Sequence, residues 1–177
     1  TRMNPSVNFG QVVKGKNVGR ASGMIEMRDF ARLVDGVGLL ANSRSWTMED
    51  QKGLVAWFSE YLTWLQTSKI GTQEAQSENN HGVWFDVQRS SIALFVGKAD
   101  LARAIIEEAK EKRIARQIEP DGTQPRELAR TRSMHYTAFN LDAFVSLALI
   151  GDHLGIDLWH YRTNDGRSIR AALDWFF

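Results

Sequence analysis

Apolar residues recur at helical spacing along most of the chain. Met27, Phe30, Leu33, Val34, Val37 and Leu40 predict a helix from near Met27 to Leu40, which Asn42-Ser43-Arg44-Ser45 breaks. Thr47-Met48-Glu49-Asp50 has the form of a capping box, an N-cap acceptor followed three residues later by an acid. The helix it opens carries Leu54, Trp57, Phe58, Tyr61, Leu62 and Leu65 on one face, at the 3.6-residue period. The polar stretch from Thr67 to Glu78 reads as a connection. A helix is predicted over Val83 to Val96, with Gly97 as its C-cap. Another runs from Lys98 to about Gln117, with Leu101, Ala104, Ile105 and Ala109 facing inward.

Glu119-Pro120-Asp121-Gly122-Thr123-Gln124-Pro125 is turn-rich. Residues 137 to 150 are apolar nearly all round, as in a helix enclosed by others. Gly151 to Gly166 reads as a loop holding Trp159, His160 and Tyr161, and a last helix is predicted from Ser168 to Phe177. Residues 1 to 23, punctuated by Pro5, Gly10, Gly15, Gly19 and Gly23, read as an irregular lead-in. No period-2 alternation stands out, so the expected fold is all-α, built of stacked αα-hairpins rather than a four-helix bundle.

The 177 residues suit one domain, and the apolar share of 43% is ordinary for a globular chain. With 22 basic residues against 21 acidic ones, the formal net charge is +1. That balance argues against a nucleic-acid partner, which calls for a larger basic excess. The absence of cysteine excludes disulfides, thiolate zinc sites and cysteine nucleophiles. No segment approaches a membrane span, so no membrane partner is expected. Thr1-Arg2-Met3-Asn4-Pro5 lacks both an initiating Met at its first position and the apolar core of a signal peptide.

Two stretches carry candidate chemistry. Asn80-His81 precedes a helix, where unpaired N–H groups and the dipole favour anions, so an amide and an imidazole there would cradle a carboxylate. On the dipeptide alone, an N-cap Asn beside a solvated His explains the pair more simply. The second stretch sets Arg130, Arg132, His135 and Tyr136 close together. Arg binds carboxylates bidentately, and Tyr transfers protons when nearby cations favour it. A solvated basic face with Tyr136 packed inward is the plainer account of that cluster. The four histidines do not fall at a zinc spacing, and neither GxSxG nor GxxxxGK[ST] appears. Glu119 and Asp121 could form a hydrolytic carboxylate pair, and Trp84, Phe85, Trp159 and Tyr161 could stack on sugars.

Three stretches resemble the alginate lyase family of polysaccharide lyases. They are Asn79-Asn80-His81-Gly82-Val83-Trp84-Phe85-Asp86-Val87-Gln88, the run from Gln117 to Tyr136, and Asp157-Leu158-Trp159-His160-Tyr161. The resemblance extends over nearly the whole chain. It implies an (α/α) toroid, a ring of helical hairpins around a sugar-binding cleft. Family members are considerably longer, so residues 1 to 177 would form the C-terminal portion of a longer catalytic domain. Self-association, or pairing with the missing N-terminal part, is then expected to cover the exposed surface.

The resemblance further implies β-elimination on a uronic-acid polymer such as polymannuronate or glucuronan, with no cofactor or metal required. Asn80, His81 and an arginine would neutralise the uronate carboxylate and stabilise the enolate-like intermediate. Tyr136 would take the C5 proton and then protonate the departing glycosidic oxygen where both lie on one face of the sugar. His81 would be the base where they lie on opposite faces. Arg130 is the preferred arginine, with Arg132 also open. Asn79, Trp84, Arg132 and His135 are the further candidates for substrate binding. A periplasmic or secreted location is expected from the family. Two rival readings stand beside this one: a toroid glycoside hydrolase using Asp86, Glu119 or Asp121, and a non-catalytic helical module that binds an anionic polysaccharide.

Overall fold

The computed structural model describes residues 3–177 of the chain, and among these every regular element is helical. A 3-10 helix over Ala21–Met27 leads into α1 (Phe30–Gly38), followed by α2 (Met48–Thr67), α3 (Lys69–Glu74) and α4 (Asn80–Phe95). Next come α5 (Ala99–Ala109), a π turn (Lys110–Ile114) and α6 (Ala115–Gln117), which together make one long rod. The chain finishes with α7 (Pro125–Leu128), α8 (Ser133–Leu154) and α9 (Ile169–Phe176). No helix among the described residues is long and apolar enough to cross a membrane.

The α4 helix is the hub, packing most extensively against α5 and α8 and also against α1 and α2. Twelve of its residues are buried, polar Asn80, Asp86, Gln88, Ser90 and Ser91 among them. Such a helix cannot rest on an amphipathic face alone, and its polar side chains need partners inside. The α2 helix starts where the capping box predicts: Thr47 Oγ1 accepts from Asp50 N at 3.1 Å, and Thr47 N donates to Asp50 Oδ2 at 3.0 Å. Its apolar face closes on α1, where Phe30 meets Trp57, Phe58 and Tyr61 edge-on at centroid distances of 5.7, 5.6 and 5.3 Å. Those tilted contacts suit the ring quadrupoles. Tyr61 Oη donates to Gln88 Oε1 at 3.0 Å inside this core, and burial pushes its phenol well above the ordinary tyrosine range.

Two expectations need correcting. The polar stretch after Thr67 contains α3, which Ser68 caps by accepting from Gly71 N at 3.0 Å. On α5 the inward set is Ala102, Ile105, Ile106 and Ala109, whereas Ala104 is exposed and Leu101 half-buried. The inward four follow i, i+3, i+4, i+7, a better single face than the set containing Leu101 and Ala104. The lead-in is irregular up to Arg20 and is packed onto the core. Gly10 and Gly23 cross so closely that a Cβ on Gly23 would lie 2.2 Å from the Gly10 carbonyl. Val7 and Met24 on either side of the crossing are fully buried in the core.

Candidate functional site

The start of α4 is fixed from below by a buried ion pair. Arg113, brought inward by the π turn, donates from Nε to Asp86 Oδ2 at 2.7 Å, and both residues are about 1% exposed. Its other guanidinium nitrogens donate to Ser77 O and Ala75 O at 2.7 and 2.9 Å. Those carbonyls belong to the turn between α3 and α4, so the cation fills what a helix terminus otherwise leaves unpaired. Gly82 is needed on the same account: a Cβ there would lie 2.4 Å from Arg113 Nη1 and 2.0 Å from Ser77 O.

On this platform Asn79 is the N-cap of α4, its side chain accepting from His81 N at 3.2 Å. Asn80 is fully buried, and both its backbone N and its Nδ2 donate to Glu127, with Nδ2 at 2.8 Å from Oε2. Its Oδ1 has no hydrogen-bond partner among the described residues. His81 Nδ1 lies 2.8 Å from Glu74 Oε1, a buried carboxylate at the end of α3 that also accepts from Ser77 Oγ. A carboxylate accepting at Nδ1 selects the Nδ1–H tautomer and leaves Nε2 for other work.

Residues 117–124 are tied to α8 by a buried amide network, in which Asn140 Nδ2 donates to Gln117 Oε1 and Gln124 Oε1 at 3.2 and 2.8 Å. The network steers α7 and its Glu127 against Asn80. One turn later the guanidinium of Arg130 lies 4.0 Å from the centroid of the Tyr136 ring, a cation–π contact that fixes the ring's orientation.

Asn80, His81, Arg130 and Tyr136 therefore meet, across a gap of some fifty residues, around one cavity of about 420 Å³. Phe139 completes that wall. The opposite wall is the lead-in, through Gln11, Arg20, Ser22, Ile25 and Arg28. Among the described residues no Asp or Glu lines the cavity; the acidic partners Glu74 and Glu127 stand behind it.

The remaining sequence candidates fall elsewhere. Arg132 is exposed at the start of α8 and does not line the cavity, so Arg130 is the arginine the geometry favours. His135 is exposed and stacks on Phe139, with ring centroids 6.3 Å apart. Trp84 is buried against Phe139, ring centroids 5.2 Å apart, and lines a separate groove of about 750 Å³ between α1 and α8. Trp159 and Tyr161 are held by Asp152 and Glu111 at 3.0 and 2.8 Å. Burial and the Glu111 hydrogen bond push the Tyr161 phenol up to about 12.

The carboxylates of the hydrolase reading are engaged as well. Asp86 is locked between Arg113 and Arg89, Glu119 pairs with Arg167 at 3.0 Å, and Asp121 caps its own turn through Thr123. Sequence inspection missed Gln11, Arg20, Ser22 and Arg28, since nothing in an irregular segment says which residues will face a cavity. Glu74 and Glu127 were equally hidden, because a buried carboxylate and a solvated one look alike in sequence.

The fold is all-α, part of an (α/α) toroid, and it sets an Asn-His pair at one helix start beside an Arg–Tyr pair at another. The chain matches the alginate lyase family over residues 1–177 and belongs to it. The crystal structure of an alginate lyase from Bacteroides ovatus superimposes with a TM-score of 0.96 at 44% sequence identity, covering 99% of this chain and 47% of that one. The chain thus spans about half the length of that relative. No curated protein matches.

Proposed function

We propose that this chain carries the cleavage centre of a polysaccharide lyase acting on uronic-acid polymers by β-elimination. The observation that supports it best is the convergence of Asn80, His81, Arg130 and Tyr136 on one cavity with no acidic residue among the described residues that line it. A cavity so lined attracts a carboxylate and offers a phenol beside it.

In this reading Arg130 and His81 meet the uronate carboxylate, which lets negative charge build on C5 as its proton leaves. Tyr136 accepts that proton and returns one to the glycosidic oxygen at C4 as the C4–O bond breaks. The products are a C4–C5 double bond on one fragment and a free hydroxyl on the other. Where proton and leaving group lie on opposite faces of the sugar, His81 Nε2 is the base and Tyr136 the acid. Glu74 serves either case by fixing the imidazole's tautomer. A polymer too large to enter a cell fits a periplasmic or secreted enzyme.

The test is near-ultraviolet absorbance while the intact protein acts on polymannuronate, polyguluronate or glucuronan. Rising absorbance from the new double bond is the expected result, and the fastest polymer names the substrate. New reducing ends without absorbance would replace the proposal with hydrolysis, and binding without cleavage would leave a polysaccharide-binding module.

A further inference from the structure

The cavity contains more positive charge than one sugar needs. Three guanidiniums line it, those of Arg20, Arg28 and Arg130, together with His81. Arg20 makes no ion pair among the described residues, and Arg28 comes only within 3.8 Å of Asp29 while lying over the ring of Phe139. Arg130 is stacked on Tyr136 and so belongs to the reacting sugar's side of the cavity. Desolvating three cations around one carboxylate would leave two poorly paired, which is unfavourable. A uronate polymer resolves this, since each successive sugar brings its own carboxylate.

The segment carrying the extra cations is held in place. The Gly10–Gly23 crossing, the buried Val7 and Met24, and Gln88 Nε2 donating to Met24 O at 3.2 Å tie it to the core and to α4. Gly19 makes the turn before Arg20 feasible, because a Cβ there would lie 1.8 Å from Asn8 O. Gln11 has a φ of 53°, a left-handed conformation that a residue with a side chain adopts at a cost. Ser22 Oγ donates to its Oε1 at 2.8 Å, which leaves the two amide N–H groups without a partner among the described residues.

We propose that Arg20, Arg28 and Gln11 form a second carboxylate site, which holds the uronate next to the one being cleaved. The inference rests on the lyase reading for its substrate class. It goes beyond that reading by making the lead-in wall the part of the chain that measures substrate length and charge. Arg28, fixed against Phe139, supplies a preoriented fork; Arg20, more exposed, closes on the same carboxylate with the Gln11 amide.

Oligomannuronates of two to six units, given to the intact protein, test this. Wild-type kcat/KM should rise steeply once a second carboxylate is within reach. Arg20→Gln and Arg28→Gln should each shrink the gain per added sugar by about tenfold, mostly through KM, and Arg28→Lys should recover part of it. A gain per sugar equal to that of wild type in both glutamine variants would overturn the proposal.

A binding arm separates the two readings. Tetrasaccharide affinity is measured by calorimetry in the Tyr136→Phe background, where no turnover intrudes. Affinity that drops about tenfold with either arginine supports the second site even if the wild type cleaves no polymer, in which case the lyase reading alone falls. Affinity indifferent to both arginines, in a protein that does cleave, sinks the second site alone. No uronate binding at all would sink both.

Discussion

Arg113 and Asp86 face each other at 2.7 Å in the interior, and the same guanidinium holds the two carbonyls that end the turn ahead of Asn79. The pair is thus a strut under the start of α4, with Gly82 shaped to admit it. Removing the cation strands Asp86 with Arg89 alone and frees Ser77 O and Ala75 O together. Breaking a buried pair costs about 3–5 kcal/mol. Arg113→Met is expected to lose stability of that order by urea denaturation. A loss under about 1 kcal/mol would show that the turn does not depend on the strut.

Tyr136→Phe removes one oxygen from a half-buried ring whose packing and stacking on Arg130 remain. Turnover should drop by about 10²–10⁴, the usual share of a positioned proton carrier. The thermal midpoint should stay near that of wild type. Absorbance assays and circular dichroism on one preparation check both halves, and near-normal turnover would remove Tyr136 from the proposed role.

Much of this architecture was legible in the sequence, and the limit has a physical basis. The capping box at Thr47, the apolar face of α2 and the apolar girth of α8 are local patterns, and all three elements form as read. The residues Asn80, His81, Arg130 and Tyr136 were singled out by chemical type and by resemblance, and the fold sets them around one cavity. What stayed hidden is long-range pairing. Glu74 sits seven residues from His81, Glu127 forty-seven from Asn80, and Arg113 twenty-seven from Asp86. A charged residue's fate depends on what the tertiary fold brings to it, and periodicity carries no such information. Trp84 shows the same limit, since its place in a motif gave no sign that it would point into the α1–α8 groove.

The capping box predicts an acid-sensitive contribution to stability. Hydrogen bonds from the Thr47 side chain and then the Thr47 backbone hold the Asp50 carboxyl below the ordinary 3.8. The folded state therefore releases this proton more readily than the unfolded chain does. Its contribution is fully present above about pH 5 and is lost as the pH falls through the depressed value. Thr47→Ala should lower the thermal midpoint at neutral pH, and the gap to wild type should narrow on acidification towards pH 2–3. A gap that widens in acid would contradict the assigned direction.

Glu74→Gln examines the imidazole. Glutamine can still accept from Nδ1–H through its carbonyl, so the ring is kept in place while the buried charge behind it disappears. If His81 works as a cation against the substrate carboxylate, losing that charge should lower kcat/KM by about tenfold, mostly through KM. Equal kcat/KM in the variant would mean that Glu74 serves the α3–α4 turn alone.

Glu127 reaches the cavity only through Asn80. It accepts from the Asn80 backbone N at 2.7 Å and from Nδ2 at 2.8 Å, so its carboxylate dictates which edge of the amide is free. Glutamine at 127 offers both a donor and an acceptor, and the Asn80 amide can then settle in either orientation. Glu127→Gln is expected to reduce kcat/KM by about tenfold, and Asn80→Ala by more, chiefly in kcat. The decisive quantity is their combination. If Glu127 acts by holding Asn80, the double variant is no worse than Asn80→Ala, giving a coupling energy of about 1.4 kcal/mol for a tenfold single effect. Losses that simply add would show that Glu127 supports activity by another route, such as holding α7 against α4, and would end its role as the residue that aims Asn80.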